Sequence, residues 1–324
     1  MIAFDLRSFT FVIPEFSEED WREAVEGADG IEKLLLATQS QTVSLVKLIK
    51  DIAVTPARLA WVNLWTRCFS LIDGAYVAMS GNSTFAMEVL ERIAIETFMH
   101  IHTIVEPIAK SGRNGEEMVI DRLNAYSAWT LGEDMRSAIN LSQESSLNMV
   151  WDPSPARDIK NNPEKREAHE ALFGEITIET DPDSLKAGRQ QQQAELITLQ
   201  RRLGAWLSHS DLARWKKKVR MIETDPKRPK RMPVSFFELF NIDEKTMAKK
   251  MYGCGLGLGY IRYQQTSMLI HGTTIEQMNL TLADKIVPKI RARKDEVESS
   301  AESIRSSCNR TILYLAMTAK LLWP

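Results

Sequence analysis

The sequence has few cysteines, almost no net charge and no long apolar run. Its cysteines, Cys68, Cys254 and Cys308, are far apart and in no metal-ligand spacing, which favours reduced thiols over a disulfide framework or a zinc site. The formal net charge of −2 excludes a global field that attracts nucleic acid or an anionic membrane, so such binding needs a local patch. No stretch reaches the roughly 20 uninterrupted apolar residues that a membrane span requires.

The start of the chain also lacks the charged region and apolar run of a signal peptide. Together with the isolated thiols, this absence predicts a cytoplasmic protein with no membrane partner.

Motifs of several common enzyme classes are absent as well. The glycines between positions 253 and 259 do not match the dinucleotide-binding pattern G-x-G-x-x-G, and no P-loop is present. Ser267 is not in the G-x-S-x-G motif of a hydrolase. His100 and His102 are two residues apart, so on a helix they point to nearly opposite faces and cannot easily share a metal. We therefore expect no cofactor and no metal.

Most of the remaining sequence has the hydrophobic periodicity of α-helices. We predict an all-α protein, a bundle of about seven to nine helices. Its expected segments are an N-terminal helical segment (1–55), a bundle core (56–280) and a long C-terminal helix (281–324) that packs on the bundle. The core is expected to contain a long irregular loop near 151–183, which has four prolines, and a basic linker over 224–233.

Local signals predict the boundaries of two long helices. Thr55 before Pro56 is a good N-cap with proline at the first helical position, and this helix should end at Gly81. Ser83 should cap the next helix, which we expect to end before Pro107.

The helix after Ser83 is apolar over most of its circumference but has a charged stripe. Glu88, Arg92, Glu96 and His100 recur every four residues and so lie along one face. A buried charge is costly unless it is paired, so the stripe should form an ion-pair ladder or line a cleft. A structural salt bridge and a solvated surface stripe are the alternatives.

A second polar stripe lies far downstream. Tyr263, Ser267 and His271 are spaced i, i+4, i+8 on one predicted helix face, and Gly272 after His271 is typical of a helix end. A histidine in a last turn lies near the negative end of the helix dipole, which favours its protonated form. His271 could act as a general acid or base or as a cation for phosphate, or simply cap the helix carbonyls.

The ordered pair of motifs, Arg92-x-x-x-Glu96 and then Tyr263-x-x-x-Ser267-x-x-x-His271-Gly272, resembles an uncharacterised bacterial all-helical family of unknown function. The resemblance covers roughly 59–274. That family is distantly similar to the HEPN superfamily, many of whose members cleave RNA in defence or toxin–antitoxin systems.

The HEPN ribonucleases have Arg and His separated by four to six residues on one helix. Here eight residues separate Arg262 from His271, whereas six separate Arg202 from His209, a spacing that also arises by chance in a chain this rich in arginine.

A basic segment is the remaining feature. Nine basic residues lie within 18 positions of 214–231, against Glu223 and Asp225. Such a segment could follow a phosphate backbone, with Trp215 available for base stacking. A solvated helix end with a charged linker is the alternative. The candidate nucleic-acid-binding residues are Arg214, Trp215, Lys216, Lys217, Lys218, Arg220, Lys227 and Arg228.

We therefore expect a nucleic-acid-directed effector of a bacterial defence or toxin system, acting as a metal-independent endoribonuclease if it is an enzyme. In this function His271 is the acid or base, Arg92 stabilises phosphate charge, Glu96 orients Arg92, and Tyr263 and Ser267 donate hydrogen bonds. Its expected partners are RNA or DNA, a second copy of the chain, or a defence-system protein. The alternative is a non-catalytic interaction or regulatory protein in which the same cluster is a buried structural lock; a metabolic enzyme that binds a small anion is a third.

Overall fold

The structure is a computed structural model of the chain. It describes residues 30–38, 53–81, 83–111, 113–143, 147, 154–173, 182–219, 235–240, 242, 244–253, 261, 263, 279–282, 285–288 and 294–323. The chain divides by its packing into two compact units, unit 1 (Met1–Tyr126 and Ser235–Pro324) and unit 2 (Ser127–Val234). This division falls at other positions than the three predicted segments.

The all-α prediction is confirmed. Residues 31–38 are helical, in agreement with the predicted N-terminal helical segment, whose other residues lie largely outside the described part of the chain. The further helices are α1 (Pro56–Ser80), α2 (Thr84–Ser111), α3 (Arg113–Ser142), α4 (Ser154–Asn161), α5 (Pro163–Phe173), α6 (Pro182–Leu207), α7 (Ala213–Lys218), α8 (Glu244–Gly253) and α9 (Lys294–Leu322). Single 3-10 turns cover Ser210–Leu212 and Glu238–Phe240.

The ends of α1 and the start of α2 are where the sequence predicts them. The Thr55 side chain accepts a hydrogen bond from the backbone N–H of Arg58, and Pro56 occupies the first turn. At the other end, the N–H of Gly81 donates to the carbonyl of Val77. The Ser83 hydroxyl accepts from the N–H of Ala86, as expected of an N-cap.

Helices α1, α2 and α9 pack against one another to form the core of unit 1. Helix α9 runs antiparallel to α1, because the indole N–H of Trp61 donates to the carbonyl of Leu315 at 2.8 Å, while Cys68, two turns later, donates to the carbonyl of Cys308 at 3.6 Å. The C-terminal helix thus packs on α1 and α2. The Arg58 guanidinium completes the pairing by donating twice to the carbonyl of Leu322.

The predicted end of α2 before Pro107 is wrong, because the helix continues through this proline to Ser111. Proline has no N–H, so the carbonyl of Thr103, four residues earlier, loses its helical partner. The guanidinium of Arg122 on α3 donates a hydrogen bond to that carbonyl instead. Close approach of the two helices is possible because Gly115 has no side chain: a Cβ there would lie 2.5 Å from the Pro107 carbonyl oxygen.

Arg122 is itself held by further contacts. The Glu106 carboxylate lies 3.4 Å from Arg122 and 2.7 Å from the ammonium of Lys250 on α8, and all three side chains are less than one-fifth exposed. The Arg122 guanidinium also lies 5.0 Å from the ring centroid of Phe240. This Glu106 cluster joins α2, α3, α8 and the 3-10 turn at Phe240.

In unit 2, α6 packs on the second half of α3. The side-chain amide of Gln200 donates to the carbonyl of Ala138 and to the Ser142 hydroxyl. Helix α6 ends at Leu207, and His209 caps the 3-10 turn that precedes α7.

Two further predictions are wrong in detail. The predicted irregular loop near 151–183 contains α4 and α5, because Pro155, Pro163 and Pro182 lie in the first turns of α4, α5 and α6. Asn162 caps α5 by accepting from the N–H groups of Glu164 and Lys165.

The C-terminal helix begins at Lys294 rather than at the start of the predicted segment 281–324. Before it, the strands β1 (Asn279–Leu282) and β2 (Lys285–Pro288) form an antiparallel hairpin, with Leu280 opposite Val287. Thr281, Ile286 and Val287 are residues that favour strands.

We predict that Arg122→Met lowers the free energy of unfolding by about 2–3 kcal/mol, because it leaves the buried Thr103 carbonyl without a donor. In a Pro107→Ala background the loss should be smaller by about 1 kcal/mol, since the alanine supplies the N–H that proline lacks. Urea denaturation of the four proteins in this double-mutant cycle measures the coupling.

Arg136→Met is the matched control, because Arg136 lies on the same helix and pairs with Glu133 one turn away. Its cost should be about 0.5 kcal/mol and unaffected by Pro107→Ala. Equal costs of Arg122→Met in both backgrounds would show that Arg122 does not replace the hydrogen bond that Pro107 removes.

Candidate functional site

The charged stripe of α2 passes from solvent into the core. Glu88 and Arg92 are half-buried, the side chain of Glu96 is 29% exposed, and His100 is 1% exposed. The stripe is therefore neither a solvated face nor a fully buried ladder, and its two ends have different environments.

Arg92 meets the second polar stripe. Its guanidinium carbon lies 5.2 Å from the ring centroid of Tyr263, within the range of a cation–π contact. Residues 261 and 263 are helical, and Tyr263 is half-buried. This contact brings one residue of each stripe together. Ser267 and His271 lie outside the described residues.

The described contact of Glu96 is with His100 rather than with Tyr263. Its carboxylate lies 3.9 Å from Nε2 of His100, one turn further along α2. His100 is enclosed by the aromatic rings of Tyr126, Phe236 and Phe237, at centroid distances of 5.5, 5.1 and 4.8 Å. We call this enclosure the His100 box.

The His100 box keeps the histidine neutral. Burial, and to a smaller extent the positive charge of Arg67, lower the pKa of His100 to about 3. A neutral imidazole in this site cannot act as a cation for an anionic ligand near neutral pH. His100 is therefore a packing residue, and any chemistry of the stripe belongs to its Arg92 end.

Arg67 on α1 is a member of this cluster that the sequence stripes do not include. Burial raises the pKa of Tyr126, while the charge of Arg67 and its hydrogen bond to the tyrosine oppose that rise and Glu96 adds to it. A signal for Arg67 is present in the sequence, because it is a lone cation within the apolar run of α1.

The basic segment is described only over α7. Arg214 and the three lysines of 216–218 are exposed, whereas Trp215 is 2% exposed. The predicted stacking of bases on Trp215 is therefore wrong, because Leu212, Trp215 and Val219 form the inward face of this segment. Arg220, Lys227 and Arg228 lie outside the described residues.

His209 lies at the start of this basic segment. Its Nδ1 accepts a hydrogen bond from the N–H of Asp211 at 3.3 Å and lies 3.7 Å from the Asp211 carboxylate. These contacts are those of a cap, and they fix the ring at the junction between α6 and α7.

Within the part of the chain that the structure describes, no group of three or more His, Cys, Asp or Glu residues could hold a metal ion. No helix among those residues is long and apolar enough to cross a membrane.

Comparison with protein-family models, with curated proteins and with solved structures finds no match to this chain. The resemblance to the all-helical bacterial family and to the HEPN superfamily thus stays a prediction.

We predict that the His100 box makes stability depend on pH. The pKa of His100 is lower in the folded state than its ordinary 6.5, so the unfolded chain binds the proton more readily. The share of the free energy of unfolding that comes from neutral His100 is therefore present above pH 6.5. It is lost as the pH falls toward about 3, by up to about 1.4 kcal/mol per pH unit. His100→Gln should remove this share of the slope.

The measurement is the free energy of unfolding between pH 7.5 and 5 for wild type, His100→Gln and His169→Gln, a change on α5 outside the cluster. We expect a shallower slope for His100→Gln alone. The same slope in all three proteins would contradict a buried neutral His100.

Proposed function

We propose that the protein is a nucleic-acid-directed effector of a bacterial defence or toxin system that cleaves RNA without a metal. The observation that supports this proposal is the contact of Arg92 with Tyr263, one residue from each stripe. A cation fixed against an aromatic ring and only half-buried can reach a phosphate while it loses little rotational freedom.

The residues of the two stripes have complementary roles in such a reaction. His271 takes the proton from the 2′-hydroxyl, whose oxygen attacks the adjacent phosphorus. The new O–P bond forms as the bond from phosphorus to the 5′-oxygen breaks, and the leaving oxygen takes a proton from water. Arg92 stabilises the charge that grows on the phosphoryl oxygens. Tyr263 and Ser267 donate hydrogen bonds, and Glu96 limits the orientations of Arg92.

The exposed cations of α7 supply a second line of support. A chain with a net charge of −2 has no global attraction for nucleic acid, so a concentrated basic surface is needed to bind it. Helix α7 presents four such residues within five positions of the chain.

A specific observation favours the second candidate, a non-catalytic interaction or regulatory protein with a structural lock. The His100 box and the Arg67–Tyr126 hydrogen bond join α1, α2, α3 and the Phe236 segment through buried polar groups. In this function Arg92 and Glu96 continue the lock toward the surface, and the partner is a protein, either a second copy of the chain or another component of the system.

We predict that His271→Ala abolishes RNA cleavage and growth toxicity without unfolding the protein. Arg92→Gln should weaken both activities by about a hundredfold or more, since it removes the phosphate-stabilising charge. The measurements are bacterial growth on induction, integrity of total RNA, and helical content by circular dichroism.

His169→Ala is the control, because His169 lies on α5, outside both stripes. If the His271→Ala protein folds and stays toxic, or if wild type damages no RNA, the lock function replaces the catalytic one.

A further inference from the structure

The ring of Trp215 is the centre of the basic surface, although it is closed to solvent. The guanidinium of Arg214 lies 5.0 Å from its ring centroid, and the ammonium of Lys218 lies 4.8 Å from the same centroid. Both cations are thus within cation–π range of one indole. The side chains that cover the ring are themselves exposed, so their charges face solvent while the ring does not.

The indole is rigidly held from below. Leu212 and Val219, which flank Trp215 on the inward face of the segment, are 0% and 6% exposed. A Cβ on Gly132 of α3 would lie 2.8 Å from Cγ1 of Val219, so the end of α7 is closely packed on α3. A ring fixed in this way also fixes the positions of the two cations above it.

Two like charges are consequently held within about 10 Å of each other, because both lie near one centroid. Two positive charges at this separation still repel each other, because it is close to the Debye length of about 8 Å at physiological ionic strength. An anion bound beside them relieves the repulsion. Lys216 and Lys217 extend the same exposed surface by two further cations.

The geometry also distinguishes two forms of nucleic acid. Proteins that bind single strands combine cations with aromatic faces on which the bases stack. Trp215 is the sole aromatic residue of 210–219, and its ring is already covered by Arg214 and Lys218. Cations at fixed positions match instead the regularly spaced phosphates of a duplex, which are contacted without reading the bases.

We propose that α7 binds the phosphate backbone of a double-stranded nucleic acid, and that Trp215 is the buried support that positions Arg214 and Lys218 rather than a base-stacking residue. This inference rests on the proposed function and adds to it the form of nucleic acid that is bound. The duplex is recruited at α7 by its charge, independently of its sequence.

The test measures binding of the full chain to a 20-base-pair RNA duplex, and to one of its strands alone, by fluorescence anisotropy from 50 to 300 mM KCl. We expect tighter binding to the duplex, with log K falling against log salt at a slope of about −3 to −4 if four phosphates are contacted. Lys217→Gln should reduce this slope by about 1, and Lys249→Gln, an exposed lysine on α8, should leave it unchanged.

Two substitutions of Trp215 separate support from stacking. Trp215→Phe keeps an aromatic ring under both cations and should bind the duplex within about threefold of wild type. Trp215→Leu keeps an apolar side chain but no ring face, and should weaken duplex binding by about tenfold with the helical content unchanged. Equal loss on the single strand and the duplex, with the single strand bound more tightly by wild type, would overturn the inference and leave the proposed function standing.

Other outcomes concern the function itself. Wild type that binds neither RNA overturns both proposals. Binding to vesicles of phosphatidylserine and phosphatidylcholine, without binding to either RNA, identifies α7 as a surface for anionic lipid and likewise overturns both. Duplex binding with the expected slopes, but without RNA damage in cells, supports the inference and contradicts cleavage.

Discussion

Helix α2 is packed against several other elements at once, and several of its polar groups contact partners from other parts of the chain. The Thr103 carbonyl that Pro107 leaves without a helical donor receives Arg122 from α3. The His100 imidazole is enclosed by rings from α3 and from the Phe236 segment. Arg92 meets Tyr263. The polar groups of one helix thus determine which elements of unit 1 come together, and the apolar residues around them supply the bulk of the burial.

The cost of burying a charge also gives the two ends of the α2 stripe different properties. At the His100 end, burial removes the charge, since an imidazolium enclosed by aromatic rings would lose its hydration and would be repelled by Arg67. At the Arg92 end, partial exposure and an aromatic neighbour allow a permanent charge to persist. Glu96 lies between the two and interacts with His100 at 3.9 Å. A ligand-binding role is physically reasonable only at the Arg92 end, where the charge survives and solvent has access.

How well the sequence predicts the fold depends on the range of the interactions involved. The caps at Thr55 and Ser83 are local, because a side chain and a backbone N–H three residues away decide them, and both predictions are confirmed. The end of α2 is different. Pro107 favours a helix stop, but Arg122, 15 positions further along, supplies the lost hydrogen bond, and no local pattern contains that contact.

Proline is also ambiguous in the predicted loop, because the same residue breaks a helix interior and favours a helix start. For the site, spacing places Arg92 and Tyr263 each on a polar stripe, and the contact between them is long-range. Spacing does not identify Arg67, whose partner Tyr126 lies on another helix, nor does it reveal that Trp215 faces inward.

The His100 box joins two parts of the chain that are far apart in the sequence. Unit 1 is interrupted after Tyr126 and resumes at Ser235, more than a hundred residues later. Yet the rings of Tyr126 and Phe236 are in contact, with centroids 5.2 Å apart, and both enclose His100. The box therefore closes a long loop, and the entropy of closing it changes by only about 0.6 kcal/mol for each doubling of its length. An insertion between the helices of this stretch should thus leave the core that surrounds α2 nearly as stable as before.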